Sequence, residues 1–294
     1  MNTWRIIAIV GPTASGKSAL GVRLAKRFGG VVVSADSRQV YRGLDIGAGK
    51  ITKAEMGGIP HYLLDIASPR GVFTVAQYQK KFRSLLKKIP THTPIFLVGG
   101  SPFYIQAALT TANFPAVRPN PELRARLEKK TAAQLFSLLQ VKDLRRAATI
   151  ERHNRRRLIR ALEIIAATGK PVPLLHLPQW DNILLLGITL PREKLYRNID
   201  RRVDARLSQG MIAEVKRLHT KGVSWKRLES LGLEYRDLSL FLQKKLSRPE
   251  AISQLKFHIH AFARRQLTWF QRMPVRWISS EAEASRLIKA NQKP

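Results

Sequence analysis

The sequence predicts an α/β fold: a parallel sheet flanked by helices and interrupted by an inserted all-helical domain. Three observations predict it. The apolar run Trp4–Val10 leads into Gly11-Pro-Thr-Ala-Ser-Gly-Lys-Ser18, and Leu20, Leu24 and Phe28 follow at helical spacing. Strand, glycine-rich loop and helix in that order are the context of a Walker A phosphate loop. Further short apolar runs alternate with amphipathic segments up to residue 112, as strands joined by crossover helices do. Between residues 113 and 179 helical segments come without strands, and the run 182–189 then restores the sheet. The core is therefore P-loop NTPase-like, built from residues 1–112 and 180–294, with residues 113–179 as the insertion.

Each element has its own signal. In the loop, Gly11 and Gly16 let backbone N–H groups converge on phosphate oxygens where a Cβ would intrude. Lys17 adds a mobile positive charge and Ser18 offers a hydroxyl to a magnesium ion. A helix starting near Lys17 aims its positive end at the same anion. The loop binds a phosphate or pyrophosphate; by itself it does not say whose. Val31–Val33 reads as a second buried strand, followed by Ser34-Ala-Asp36. Ligands of open parallel sheets sit at the carboxyl ends of strands, so Asp36 is expected beside the loop. There it can orient magnesium, take a proton from a nucleophile, or simply cap a turn.

His61–Asp65 reads as a third strand with a Walker B-like carboxylate at its end. Thr74 opens a helix through Lys88 with Val75, Tyr78, Phe82 and Leu85 on one face, and Pro94–Val98 is a further strand stopped by Gly99 and Gly100. Ser101 and Pro102 suit the N-cap and first position of the next helix, through Leu109. From Asn113 the pattern changes: Pro115, Pro119 and Pro121 break the chain, and helices follow over Pro121–Lys130, Ala132–Leu139 and Glu151–Thr168. The last carries Arg152, Arg155, Arg156, Arg157 and Arg160. So many arginines with one acid among them repel one another unless phosphates come between, which favours nucleic-acid contact over a solvated face.

Beyond about Pro178 the strand 182–189 returns the chain to the sheet. Pro191 opens a helix with Arg197, Arg201, Arg202 and Arg206, one of which can reach back over the phosphate site as a clamp. A helix over Ile212–His219, a long one from Pro249 to about Arg272 and a short strand Val275–Ile278 complete the reading. Arg264, Arg265, Trp269 and Arg272 crowd the end of the long helix. Core packing and base stacking explain Trp269 equally well.

Composition narrows the function. At 294 residues the chain has ample core, and no apolar run approaches the ~20 residues that cross a bilayer. The first strand begins almost at once, so no cleaved leader is expected. Absence of cysteine excludes disulfides, thiolate zinc sites and cysteine nucleophiles together. A cytoplasmic enzyme, monomeric and independent of membranes, is the simplest reading. Lys and Arg number 52 against 20 Asp and Glu, a net charge of +32. A metabolite kinase has no need of such an excess; a nucleic-acid partner relieves it.

The motifs also carry a resemblance. Gly11–Ser18, Ser34-Ala-Asp-Ser-Arg-Gln-Val-Tyr-Arg-Gly-Leu-Asp-Ile-Gly47, Ile59-Pro-His-Tyr-Leu-Leu-Asp65, Arg156-Arg-Leu-Ile-Arg-Ala-Leu-Glu163, Thr168-Gly-Lys-Pro171, Arg202-Val-Asp204 and Arg265-Gln-Leu-Thr-Trp-Phe270 occur in that order. Together they resemble the tRNA dimethylallyltransferases (tRNA isopentenyltransferases) nearly end to end. The resemblance implies transfer of a dimethylallyl group from dimethylallyl pyrophosphate to N6 of adenosine 37, beside the anticodon, with magnesium as cofactor.

It further implies that Gly11, Thr13, Ala14, Ser15, Gly16, Lys17 and Ser18 grip the pyrophosphate while Arg202 clamps it from the other side. Asp36 is then the general base, and Ser37, Arg38, Gln39 and Ser101 line the adenine pocket. Arg156, Arg157 and Arg160 hold the anticodon stem-loop. The family usually has Gly-Gly-Thr-Gly-Leu-Tyr where this chain has Gly99-Gly-Ser-Pro-Phe-Tyr104, Gly-Tyr-Arg where it has Glu234-Tyr-Arg236, and Thr-Ala where it has Ala48-Gly49. Two other classes stay open on the residues alone: a P-loop kinase or ATPase of a small substrate, and a nucleotide-gated RNA-binding protein without chemistry.

Overall fold

The computed structural model describes residues 5–110, 114–173 and 183–290. Trp4, Asn113, Pro178 and Asn182, where the sequence reading set several boundaries, lie outside the described residues. Six strands form one wholly parallel sheet: β1 (Ile6–Val10), β2 (Val31–Ser34), β3 (His61–Tyr62), β4 (Ile95–Val98), β5 (Ile183–Ile188) and β6 (Arg276–Ile278), in the order β3-β2-β4-β1-β5-β6. β2, β4 and most of β1 and β5 are buried. Both faces are covered, so these strands read as unbroken Val/Ile/Leu runs rather than alternating ones. Ile9 stands level with Val98 on one side and Leu186 on the other. The chain leaves β1 toward β2 and β4 on one flank and reaches β5 on the other, so the phosphate loop opens at the switch point of the sheet.

The helices before the insertion are α1 (Lys17–Arg27), α2 (Lys53–Met56), α3 (Val75–Leu86) and α4 (Pro102–Leu109). α1 buries Leu20, Leu24 and Ala25 against the sheet, and at Gly21 an added Cβ would stand 2.6 Å from a Val98 methyl. That close approach seats the helix. Thr74 caps α3 as expected, with Gln77 completing a capping box.

The third strand is shorter than the sequence suggests. It stops at Tyr62 because Leu63 and Asp65 take left-handed φ of 63° and 56°. The Asp65 carboxylate meets the Lys50 ammonium at 2.5 Å, which Asp45 shares at 2.6 Å. The Walker B-like reading of Asp65 therefore fails: its charge is spent on Lys50.

Contacts divide the chain into two compact units, Met1–Leu109 with Gln179–Pro294, and Thr110–Pro178. The second unit is all helix among its described residues: α5 (Pro121–Glu128), α6 (Ala132–Lys142), α7 (Leu144–Thr149) and α8 (Arg155–Thr168). Its core joins Leu127, Leu135, Leu139, Leu158 and Leu162. α8 begins four residues later than expected, because the Asn154 side chain accepts the Arg157 N–H at 3.3 Å and so ends the preceding turn. Arg152 is thus not on the helix.

A carboxylate organises this unit. Glu163, with no exposed side chain, accepts two bonds from Arg124 at 2.8 Å, one from the Asn120 N–H at 2.7 Å and one from Arg160. Burial opposes its charge, but these donors prevail and hold the carboxyl at about 2.

The first unit continues with α9 (Arg192–Ser208), α10 (Met211–Thr220), α11 (Trp225–Ser230), α12 (Leu233–Leu242), α13 (Arg248–Phe270) and α14 (Glu281–Ala290). α11, α12 and α14 were not legible in the sequence. Among the described residues no helix is long and apolar enough to cross a membrane.

Candidate active site

The phosphate loop is held open by its backbone. Gly11, Ala14 and Gly16 take φ of 147°, 61° and 91°, and a Cβ on Gly11 would strike the Ile188 carbonyl of β5. Gln266 of α13 fastens the loop: its Oε1 accepts the Thr13 N–H at 2.9 Å and its Nε2 donates to the Gly100 carbonyl at 2.5 Å. Lys17 donates to the Pro12 carbonyl at 2.9 Å. The Ser15 hydroxyl is buried with no protein partner, a group that an anion in the loop would satisfy. Ser18 stands exposed in the first turn of α1.

Across from the loop lies a cationic clamp. Arg202 and Arg206 of α9 crowd over Gly49, whose φ of 54° and missing Cβ make room for both guanidinium groups. Arg206, buried, donates to the Gly47 carbonyl at 3.2 Å and faces Glu234 at 3.6 Å. Burial and the Arg206 charge bring Arg202 down to about 10, against the pull of Glu234, Asp36 and Glu55. Burial also lowers Lys17, helped by the Arg202 charge and resisted by Asp36, to about 8. The two cations therefore feel each other across a desolvated space. Such a site favours a compact polyanion.

The segment under the clamp is fixed by a residue that composition alone does not reveal. Glu214 of α10, fully buried, accepts N–H groups of Asp45, Ile46 and Gly47 at 2.8–3.0 Å and the Tyr235 hydroxyl at 2.9 Å. The same hydroxyl accepts the Ala48 N–H at 3.0 Å. Every amide from Asp45 to Ala48 is thus satisfied by a side chain of the later helices. The carboxylate at Glu234 is also accounted for. It pairs with Arg206, and burial raises its pKa against that attraction.

Asp36 follows β2 and caps the turn that leaves it. Its Oδ1 accepts the Arg38 and Gln39 N–H groups at 2.8 and 3.4 Å, which is a turn cap. Its Oδ2 makes no hydrogen bond among the described residues, and its charge acts on Lys17, Arg202 and Glu234 alike. One oxygen holds the turn and the other takes no part in it. Ser101 stands at the N-cap position before Pro102 as expected, its carbonyl accepting the Ile105 N–H at 3.1 Å, and its hydroxyl accepts the Ser37 N–H at 3.0 Å and contacts the Ser37 hydroxyl at 3.3 Å. Gln39 accepts from Ser34 at 3.1 Å and donates to the Gly49 carbonyl at 3.0 Å, tying the Asp36 turn to the floor of the clamp.

A family model described as IPP transferase matches residues 39–273, most of the chain. The chain belongs to the IPP transferase family. A tRNA dimethylallyltransferase of Roseiflexus sp. (strain RS-1) is 43% identical over 277 residues, covering 92% of this chain and 90% of that protein. The crystal structure of the tRNA isopentenylpyrophosphate transferase of Bacillus halodurans shares 35% identity and a TM-score of 0.71, covering 98% of this chain and 95% of that one. A eukaryotic dimethylallyltransferase solved acting on tRNA shares the fold at 23% identity, with a TM-score of 0.79 over 98% of this chain and 80% of that one.

Within this IPP transferase fold the first unit brings together Lys17, Asp36, Ser37, Gln39, Ser101 and Arg202, while Arg38 packs beside Gly232. The helical unit treats its three chosen arginines differently. Arg156 is exposed, Arg157 pairs with Glu151 at 3.2 Å, and Arg160 binds Glu163 and the Val117 carbonyl. Of the five arginines, Arg157 and Arg160 meet a carboxylate within the unit, and Arg160 also ties Glu163 to the Val117 carbonyl. Arg206 was one of four clamp candidates and Glu234 stood in a quoted departure from the family pattern, whereas Gln266 and Glu214 were given no role by the sequence. Gln266 lay inside the quoted Arg265–Phe270 motif; Glu214 carried no signal beyond its order in the chain.

Proposed function

We propose that this IPP transferase moves a dimethylallyl group from dimethylallyl pyrophosphate to N6 of adenosine 37 in tRNA and releases pyrophosphate. The observation that carries the proposal is the pairing of Lys17 with Arg202 around one desolvated space, with an uncommitted oxygen of Asp36 facing it. The allylic C1–O bond breaks with its electron pair going to the pyrophosphate. Loop N–H groups, Lys17 and Arg202 stabilise that growing charge. The N6–C1 bond forms on the carbon left behind, and the amine proton passes to Asp36 Oδ2. A stacked base cannot reach this recess, so the adenosine is turned out of its loop into the space beside Ser37, Gln39 and Ser101.

Magnesium fits as an ion carried by its substrate. Among the described residues no group of three His, Cys, Asp or Glu converges. Ser18 would hold the ion together with diphosphate oxygens and water, and the ion would supply charge neutralisation. Exposed cations such as Arg156 on the helical unit suit the phosphates of the anticodon stem. Our reading is of a cytoplasmic, monomeric enzyme, supported by action on tRNA and by a single chain that contains every group named here. Incubation with tRNA, dimethylallyl pyrophosphate and magnesium, followed by nucleoside mass spectrometry, tests the proposal. A prenylated adenosine is expected. Unmodified tRNA together with robust ATP hydrolysis would overturn it in favour of a kinase-like activity.

A further inference from the structure

The long helix α13 presents a stripe that the chemistry above does not use. Phe262, Arg265 and Trp269 follow at spacings of three and four, so they lie along one face, and Arg272 comes just past the end of the helix at Phe270. Phe262 is 36% exposed, and Arg265 and Arg272 are exposed. At the end of the stripe Trp269 meets Phe103 of α4, ring centroids 4.8 Å apart and planes at 54°, and Phe103 is itself 44% exposed. From Ala251 to Arg272 this helix has no acidic residue. An apolar core explains half-buried Trp269. It does not explain two part-exposed phenylalanines, one of them on α13 beside Arg265 and the other against Trp269.

The position of the pair narrows its use. Phe103 is two residues from Ser101, whose hydroxyl holds Ser37 beside Asp36. Trp269 is three residues from Gln266, which binds both Thr13 and Gly100. The aromatic pair therefore stands at the rim of the recess that the target adenosine must enter. Turning one nucleotide out of a loop exposes faces of its neighbours, which lose stacking energy unless another surface takes them. Aromatic rings flanked by guanidinium groups supply such a surface, since every base has a π-face and every step a phosphate. We propose that Phe103 and Trp269, continued by Arg265 and Phe262, form a stacking shelf for the unpaired nucleotide adjoining the modified adenosine. The shelf rests on the tRNA-modifying role above and extends it: it names the contact that keeps the loop open while the target base is out.

The test uses an anticodon stem-loop RNA carrying adenosine 37, with 2-aminopurine placed on the 5′ or the 3′ side of that adenosine. One of the two probes should fluoresce less in the wild-type complex than in the Phe103→Ala complex, which identifies the stacked side. On unlabelled RNA, Phe103→Ala should lower kcat/KM roughly ten- to hundred-fold, mostly through KM, while Phe103→Tyr stays near wild type. An abasic nucleotide on the stacked side should shrink the gap between wild type and Phe103→Ala to less than threefold. Thermal melts check that each variant is folded at the assay temperature, and the abasic comparison separates a lost base contact from lost packing against Trp269.

Equal fluorescence at both probe sites in wild type and variant, or the same loss on abasic RNA, overturns the shelf. Differential quenching without any prenylated product supports the shelf and overturns the transferase role instead.

Discussion

Lys17 holds its charge at a cost within the protein, and the cost follows from its surroundings. Burial and Arg202 lower its pKa from 10.5 to about 8, which corresponds to about 3 kcal/mol of destabilisation of the charged form. The sign follows from proton counting. Between about pH 8 and 10.5 the unfolded chain binds the proton and the folded chain does not, so stability rises with pH across that window. Below pH 8 the whole penalty is present.

Lys17→Met keeps the volume and removes the charge. It also loses the bond to the Pro12 carbonyl, worth about 1 kcal/mol. A net gain near 2 kcal/mol at pH 7 is expected, or roughly 3 °C in Tm at ~2.1 cal/mol/K per residue, shrinking to nothing or less above pH 10.5. Adding pyrophosphate with magnesium should raise the Tm of the wild type and leave the variant almost unmoved. Wild-type kcat/KM for dimethylallyl pyrophosphate should fall as pH rises through about 8, as the free lysine loses its proton. Calorimetry across pH 6–11, with and without pyrophosphate, measures all of this. A variant that melts no higher than wild type at pH 7 would refute the idea that the lysine is held against its own desolvation.

Asp36→Asn should lower the single-turnover rate by about 10²–10⁴ while affinity for tRNA holds, and its melt should shift little because the amide oxygen still accepts from Arg38 and Gln39; normal turnover in saturating substrates would remove Asp36 as base. Arg156→Ala should reduce the slope of log affinity for tRNA against log salt by about one contact, read by filter binding across salt, with an unchanged slope excluding phosphate contact there. Glu163→Gln should cost the helical unit about 3 kcal/mol at neutral pH, seen by circular dichroism. In the wild type that contribution is complete above pH 4.5 and lost as pH falls toward about 2, because the folded carboxyl titrates lower than the unfolded one; a variant as stable as wild type would mean the arginines settle without the carboxylate.

Elements whose signal is local were legible in the sequence. The buried strands announce themselves as Val/Ile/Leu runs, Thr74 marks the start of α3 by its own hydroxyl, and the phosphate loop is readable because backbone φ and residue type are tied at Gly11 and Gly16. What escaped depends on partners distant in the chain. The truncation of β3 rests on left-handed φ at Leu63 and Asp65, neither a glycine. Ser101 fits an N-cap by sequence, yet its hydroxyl goes to Ser37, 64 residues away. Glu163 looks like one acid on an arginine-rich helix; only packing shows it buried between Arg124 and Arg160. Lys17, Asp36 and Arg202 could be named for the site. Glu214 and Gln266, which hold its floor and its loop, act through pairings 169 and 253 residues apart that no local pattern encodes.

The bond from Thr13 to Gln266 also orders events at the ribosome. A growing chain delivers its phosphate loop first and the helix that fastens it 253 residues later. Meanwhile β1, the second partner of β4, waits for β5, which is made only after the whole helical insertion. The central strand thus spends much of synthesis with one raw edge, the kind of surface that recruits other chains. A product cut short before α13 retains the motif but lacks the glutamine that fixes the Thr13 amide, so an unfinished molecule carries the signature of the loop without its set geometry. Synthesis of α13, rather than appearance of the motif, is the moment at which the Thr13 amide acquires its partner and the loop its set geometry.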